Sequence, residues 1–429
     1  MKKMNNKLRY KRLLIISHNC LSETGSNGRT LGNYLKGWPR EKIAQFYIHA
    51  EQPDFNICRN FFCLTDSEVG KSIVKRKVAG KVVEEREKQD VTSKTEFIHK
   101  NNKNSILFLL RDIVWKSRLW NKKKLEEWLE EYNPEVILVQ AGDAGFLFKL
   151  AEQIGRKYKA SIVVYNTEGY YFKKVSYLQD DKFTKKFYPI LNKRFRKDYD
   201  SLIKNSKAEI YNCALLCEDY RKVYKKENYM IMNASQFTQE PLREDKKNTI
   251  IYAGNLGLMR HKSLIEFAEA LNKVNPDMII EVYGKAKEQY VADELKRCKF
   301  IKMQGFLPYD KLKEKLSESK YLLHVESFDD FYKEDLKYAF STKIADSLAV
   351  GACLFVYAPK NMAVSQYLKG TNAAVLITDK KDLERKIREC IDDERKSSEL
   401  AHEGRKLAEK NHDIEKNRIQ FQQVILKQF

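Results

Sequence analysis

Nowhere in the 429 residues is there a run of about 20 apolar residues, so no segment is built to cross a bilayer as a helix. The start, MKKMNNKLRYKRLLIIS, is basic and then apolar for only four residues, too few for the core of a secretory leader. A disulfide frame and a zinc site are also missing. The eight cysteines are scattered, and Cys213, Cys217 and Cys353 sit inside apolar runs, where a reduced, buried thiol is the default. Cys213 and Cys217 are spaced like half of a metal site, but no second Cys/His pair accompanies them. These absences predict a protein made and kept in a reducing cytoplasm. Acidic residues are in deficit, 59 against 80 Lys and Arg, leaving a formal charge of +21. Such a field attracts nucleic acid, anionic membrane or phosphorylated small molecules. The first of these lacks its usual apparatus: there is no helix-turn-helix, RNP-like or zinc-finger pattern, and acids are interspersed among the cations.

What is present is a long chain rich in Tyr and Phe, 24 and 22 of them, long enough for two domains of about 200 residues each. Strand-like runs alternate with helical patterns through both halves. The first half reads LLIIS (13–17), FYIHA (46–50), FFCLT (61–65), VILVQ (136–140), SIVVYN (161–166) and MIMNA (230–234). A long helix is expected over 105–131 and a basic, aromatic one over 182–206. The charged segment 68–103 reads as an exposed insertion or mobile loop. Polar 236–248, with its proline, reads as a linker. After it come IIYAG (250–254), MIIEVYG (278–284), FIKMQGF (300–306), YLLHVE (321–326), CLFVY (353–357) and AVLIT (374–378), with helices between. Strands alternating with helices mean parallel sheets covered on both faces. The expected architecture is α/β: domains 1–240 and 241–412, each doubly wound, facing across a cleft. The final helix, within 413–429, is a candidate to cross back to the first domain.

Three stretches of the second half carry chemistry. YAGNLGLMRHKSLIEF has Gly254, Asn255 and Gly257 in a turn, then Arg260 and Lys262 before a helix. It is neither a P-loop nor GxGxxG, and an ordinary tight turn is its plain reading. At the strand ends VYGK and QGFLPYD, backbone near Gly284, Phe306 and Leu307 is placed to meet a flat base. AFSTKIADSLAVGACLFVY opens a helix with Ser341, Thr342 and Lys343. Ser341 or Thr342 is a good N-cap; the same free amides, hydroxyls and ammonium also suit a phosphate. A cationic loop, a gap for a base and a hydroxyl-lined helix tip together fit a nucleoside diphosphate.

The order AGNLGLMRHKSLIEFAEAL, EVYGK, QGFLPYDKL, HVESF, AFSTKIADSLAVGACLF resembles the nucleotide-sugar domain of GT-B glycosyltransferases. The likeness is to the retaining family 4 enzymes of bacterial surface polysaccharide (capsule) synthesis, and covers most of 248–395. Over 10–235 it is looser, resting on ISHN…GSNGRT, AGDAGF and YNTEGYYF. The resemblance implies two Rossmann-like domains. It implies that Arg260 and Lys262 neutralise the donor diphosphate with Ser341, Thr342 and Lys343, and that Asp346 holds the ribose. The family's pair of glutamates seven residues apart is not kept: Asp346 replaces the second, Tyr338 stands in place of the first, and Glu326 is a candidate to serve instead. Local capping or pairing at the surface is an equal reading of Glu326.

In the first half the resemblance places Gly25, Asn27, Gly28 and Arg29 near the transferring sugar and phosphate; a plain strand–helix connection is the alternative. Asp143 and Glu168 end neighbouring strands, where carboxylates suit acceptor hydroxyls or proton movement; His18 follows another strand. Loop capping and structural hydrogen bonding are the bland readings of these three. Asp198-Tyr199-Asp200 imitates a metal-binding DxD, yet residues two apart on a helix diverge, so a solvated face is expected and no metal. The 182–204 helix, basic and aromatic, suits an anionic membrane surface.

Together these readings predict a hexosyltransferase that moves a sugar from a nucleotide diphosphate donor. The acceptor is a glycan or a polyprenyl-diphosphate-linked glycan, at the inner membrane face, with no obligate cofactor and no nucleic acid. The rivals are a GT-B epimerase or hydrolase, and a basic nucleic-acid-binding protein.

Overall fold

The computed structural model describes residues 10–23, 25–85 and 103–427. Two compact units share the chain: Met1–Tyr211 with Asp219–Ile231 and Arg418–Phe429, and Asn212–Glu218 with Met232–Asn417. The first unit holds an eight-stranded sheet. Its strands are β1 (Leu13–Ser17), β2 (Ile43–Tyr47), β3 (Asn60–Cys63), β4 (Lys81–Val83), β5 (Val136–Ala141), β6 (Ser161–Asn166), β7 (Ala208–Tyr211) and β8 (Asn228–Met230). They run in the order β4-β3-β2-β1-β5-β6-β7-β8. Only β4, at one edge, is antiparallel to its neighbour. β1, β2 and β5 are buried at every residue, as strands covered by helices on both faces must be.

The second unit holds a six-stranded sheet. Its strands are β9 (Lys247–Ala253), β10 (Ile280–Tyr283), β11 (Ile301–Gly305), β12 (Ser319–Val325), β13 (Cys353–Tyr357) and β14 (Val375–Ile377). The order is β11-β10-β9-β12-β13-β14, parallel throughout. In each sheet the winding reverses beside the first strand, between β1 and β5 and between β9 and β12. Ligands of doubly wound sheets bind at the carboxyl ends of strands at such a reversal.

Four expectations need correction. The 105–131 helix is two, Ser105–Lys116 and Lys123–Tyr132. Ser117 accepts from the Leu119 N–H and donates to the Val114 carbonyl, and Asn121 accepts from the Lys123 N–H. Short polar side chains offered the backbone local partners, and the helix ended there. The segment 68–103 is not all loop. A helix, Asp66–Lys75, starts on a reciprocal Thr65–Glu68 cap, and β4 follows; residues 86–102 lie outside the described residues. The 236–248 stretch is no free linker. Arg405 donates to the carbonyls of Phe237, Thr238, Glu240 and Ala349 at 2.7–3.2 Å, pinning it to the second unit. Residues 230–234 form no continuous strand, since β8 ends at Met230 and Asn233 turns to donate to the Phe340 carbonyl.

The final helix, Ile414–Leu426, passes from one unit into the other. Phe421 stacks on Tyr34 with ring centres 4.7 Å apart, and Gln422 donates to the Tyr34 and Lys36 carbonyls. Among the described residues no helix is long and apolar enough to cross a membrane.

Candidate functional site

Each reversal carries a basic side chain held by a carboxylate, Arg260 by Glu326 in the second unit and His18 by Asp143 in the first. In the second unit the loop after β9 enters the Arg260–Val274 helix through Leu258 and Met259, both left-handed at φ 58° and 62°. Two consecutive bulky residues in that region are strained, and such strain concentrates at functional sites. The turn aims Arg260 across the reversal to the end of β12, where its Nε donates to Glu326 Oε2 at 2.7 Å. Glu326 also meets His324 Nε2 at 3.2 Å. It is 2% exposed, so it is not a surface carboxylate. Burial works to raise its pKa, but the hydrogen bond and charge of His324 and Arg260 prevail and hold it low.

Gly284, after β10, lies so close to the Gly254 carbonyl that a Cβ would come within 2.4 Å of it. Only glycine fits there. Asn255 accepts from the Gly257 N–H and fixes the turn. Phe306, after β11, stands 64% exposed with Lys285 over its ring; Leu307 beside it is half-buried. Lys262 is paired with Glu294 at 3.2 Å, away from Glu326. At the Thr342–Ala349 helix the capping reading is realised: Ser341 Oγ accepts from the Lys343 N–H at 3.2 Å. Ser341, Thr342 and Lys343 are half-buried, so the tip is not sealed. Asp346 is different. Its carboxylate is buried and accepts from Ser235 at 2.6 Å and from Tyr309 at 3.2 Å. It is held by hydroxyls of its own unit, as the ribose reading did not foresee.

In the first unit the carboxyl ends of β1, β5 and β6 surround a pocket of about 450 Å³ lined by His18, Asn27, Asp143 and Glu168. The structure thus gathers four residues from three separate stretches of the sequence. His18 Nε2 stands 3.1 Å from Asp143 Oδ1, bridging the β1/β5 reversal. Burial works to raise the pKa of Asp143, but the hydrogen bond and charge of His18, with Arg111 and Lys103, outweigh it. The carboxyl stays well below the usual range. Tyr177 donates to its other oxygen at 3.3 Å. Glu168 is exposed at the rim.

The glycine loop answers to packing as well. A Cβ on Gly28 would stand 2.4 Å from the Cys20 carbonyl, so this glycine allows helix and loop to touch. Gly25 is the N-cap residue of the Ser26–Leu35 helix, and the Arg29 N–H donates to its carbonyl.

Sequence reasoning missed Arg111, Asp66 and Gly142. Arg111 Nε donates to Asp66 at 2.8 Å, and both line the pocket. They lie on separate helices, so no local pattern links them. A Cβ on Gly142 would come within 2.3 Å of the His18 ring; the AGDAG spacing was the available signal. The DxD look-alike corrects in part. Asp198 is buried and paired with Lys116, while Asp200 is exposed and accepts from Tyr224. Among the described residues no three His, Cys, Asp or Glu are placed to hold a metal.

Residues 260–423, less than half of the chain, match the family model described as glycosyl transferase-like. No curated protein matches. Among solved structures, the chain is similar to HepE (Alr3699) of Anabaena in complex with UDP and glucose. The TM-score is 0.65 at 11% identity, over 97% of this chain and 100% of that one. It is similar to a mutant of S. aureus TarM in complex with fondaparinux, alpha-GlcNAc-glycerol and UDP, with a TM-score of 0.60 at 11% identity over 97% and 99%. It is also similar to WaaG, a glycosyltransferase involved in lipopolysaccharide biosynthesis, with a TM-score of 0.54 at 11% identity over 96% and 99%. These likenesses show the GT-B fold, and the family model over 260–423 supports a glycosyltransferase.

Proposed function

We propose that the chain is a retaining glycosyltransferase that passes a sugar from a nucleotide diphosphate donor to a glycan or lipid-linked glycan in surface polysaccharide synthesis. The observation that carries the reading is the Arg260–Glu326 pair spanning the β9/β12 reversal behind a strained loop. A buried carboxylate that takes only the Nε–H leaves the guanidinium's remaining donors for a phosphate. Glu326 is then a positioning residue and Arg260 the group that meets charge developing on the leaving diphosphate. Lys343 and the Ser341–Thr342 helix end add a second cation and amide dipoles. The close Gly254–Gly284 backbones and exposed Phe306 offer a flat place for the base. Neighbours solved with UDP support this donor class.

The acceptor side belongs to the first unit. Asp143 keeps the His18 ring in one orientation, and Glu168 at the rim suits an acceptor hydroxyl. Fondaparinux in the TarM complex and the lipopolysaccharide role of WaaG support a glycan acceptor. A lipid-linked one would use the +21 charge at the inner membrane face.

The test is thermal unfolding with a panel of nucleoside diphosphates. One base class should raise Tm by roughly several degrees at saturation, and Arg260→Lys and Lys343→Ala should lose most of the rise. No response to any nucleotide overturns the reading. With the responsive nucleotide's sugar as donor, free sugar or an epimer formed equally well without acceptor would make the protein a hydrolase or epimerase instead.

A further inference from the structure

The Ser105–Lys116 helix packs inward through Trp115, which stacks on Phe146 with ring centres 4.4 Å apart, and through buried Asp112. Its outward face is entirely apolar. Leu107, Leu110 and Ile113 are 43–52% exposed, and Ile106 and Val114, half-buried, flank them. At 3.6 residues per turn these five fall in one arc that no polar residue shares. A helix facing water normally carries its charges there.

Beside it lies the Tyr188–Asn205 helix, packed on the same underlying helix, Gly145–Tyr158. Phe195 and Tyr199 each sit with ring centres 5.6 Å from Phe148, and Arg194 ties the two neighbours together by pairing with Asp112 at 2.9 Å. Two helices lying side by side on a third turn their outer faces the same way. The outer face of the Tyr188–Asn205 helix and of the turn before it is cationic over 182–197, with exposed Asp181 and Asp200 at its two ends. Residues 182–197 hold seven Lys or Arg and no acid. Lys182, Lys185, Lys186, Lys193 and Lys197 are exposed among Phe183 and Ile190, each more than half exposed.

We infer that this surface docks the first unit on an anionic lipid bilayer, the Leu107–Leu110–Ile113 ridge entering the boundary between headgroups and acyl chains. The lysines alongside lie against the lipid phosphates. The inference deepens the reading of a transferase with a lipid-linked acceptor and rests on it. Leu107, Phe108 and Arg111, in the first turns of the ridge helix, also line the 450 Å³ pocket. The ridge therefore runs from the pocket's rim, and a membrane-held acceptor meets the pocket with its polar end. Charge decides against the other occupants. A second copy paired by a two-fold axis sets this patch against itself, so cations would face cations. Nucleic acid is held through phosphate contacts, which leaves the five-residue apolar ridge without a purpose. An anionic bilayer satisfies ridge and lysines together.

The test is co-sedimentation of the full chain with phosphatidylcholine vesicles, with and without phosphatidylglycerol. The variants Leu110→Ser/Ile113→Ser and Lys186→Ser/Lys193→Ser change exposed side chains outside the pocket. Wild type should bind the anionic vesicles, weakly so at high salt, and leave the neutral ones unbound. Each double variant should lose roughly tenfold or more in partitioning. Equal binding of both vesicle types, no binding, or binding unchanged in the variants overturns the inference. So does a wild-type dimer that the ridge variant dissociates, or DNA binding without vesicle binding. Nucleotide-induced stabilisation is read on the same samples. If it persists without vesicle binding, the docking surface is wrong and the transferase reading stands; if it is absent while vesicles bind, the transferase reading fails alone.

Discussion

At the scale of single residues, the pairs His18–Asp143 and Arg260–Glu326 show how far side-chain chemistry could be read in advance. His18, Asp143 and Glu326 were visible because each follows a strand, and Arg260 because it follows a glycine turn before a helix. The partnership was not, since Arg260 and Glu326 lie 66 residues apart and meet only because β9 and β12 are neighbours. His412 gave no signal at all. It is fully buried, with Nδ1 2.6 Å from the Asn233 carbonyl and Nε2 2.9 Å from the Tyr367 hydroxyl. Burial pushes its pKa down to about 4, the hydrogen bond to Asn233 opposing only in part. The folded value lies below the unfolded one, so acid favours the unfolded chain. The stability is full above about pH 6.5 and falls progressively toward pH 4. Between pH 7 and pH 4.5 this group should account for about 2–3 kcal/mol. Urea unfolding of wild type and His412→Gln at both pH values checks it; the variant should show the smaller drop.

At the scale of elements, alternation of strands and helices was legible because period-2 and period-3.6 patterns are written in the chain itself. Boundaries were less so. The helix expected over 105–131 broke where Ser117 and Asn121 offered hydrogen bonds that an apolar periodicity count ignores. The 236–248 segment looked like a linker because its composition is polar, yet Phe237 and Thr238 are buried. A side chain far along the chain, Arg405, donates to three carbonyls of the segment and to that of Ala349. Removing it leaves buried acceptors without their charged donor. Arg405→Ala should cost about 3 kcal/mol or more, since bonds to charged groups are each worth about 1.5–3 kcal/mol and act together. Chemical denaturation measures the loss. Cleavage within 236–246 under limited proteolysis should rise with it.

At the scale of the whole molecule, the chain visits the second unit and then returns. Arg418–Phe429 belongs with the first unit, and Phe421 stands against Tyr34 and Tyr165, with ring centres 4.7 and 5.5 Å apart. Without those residues, two of the first unit's large buried side chains lose an aromatic neighbour. Ending the chain at Asn417 should therefore lower the first unit's unfolding temperature. The expected cost is about 3–5 kcal/mol, on the scale of a deleted core Phe. Calorimetry of the truncated and full chains checks this, with the nucleotide-responsive transition changing least if it reports the second unit.

The sequence by itself determined the fold class, because the spacing of apolar residues is a local property that survives without any contact. It also determined the excess of cations and where candidate phosphate-binding groups stand relative to strand ends. Only the tertiary structure decided what those groups touch. It took Asp346 to Ser235 and Tyr309, gave Glu326 to Arg260, and set an apolar ridge beside a row of lysines. Burial, pairing and shared surfaces depend on which strands and helices become neighbours, and that choice is made by the packed chain as a whole.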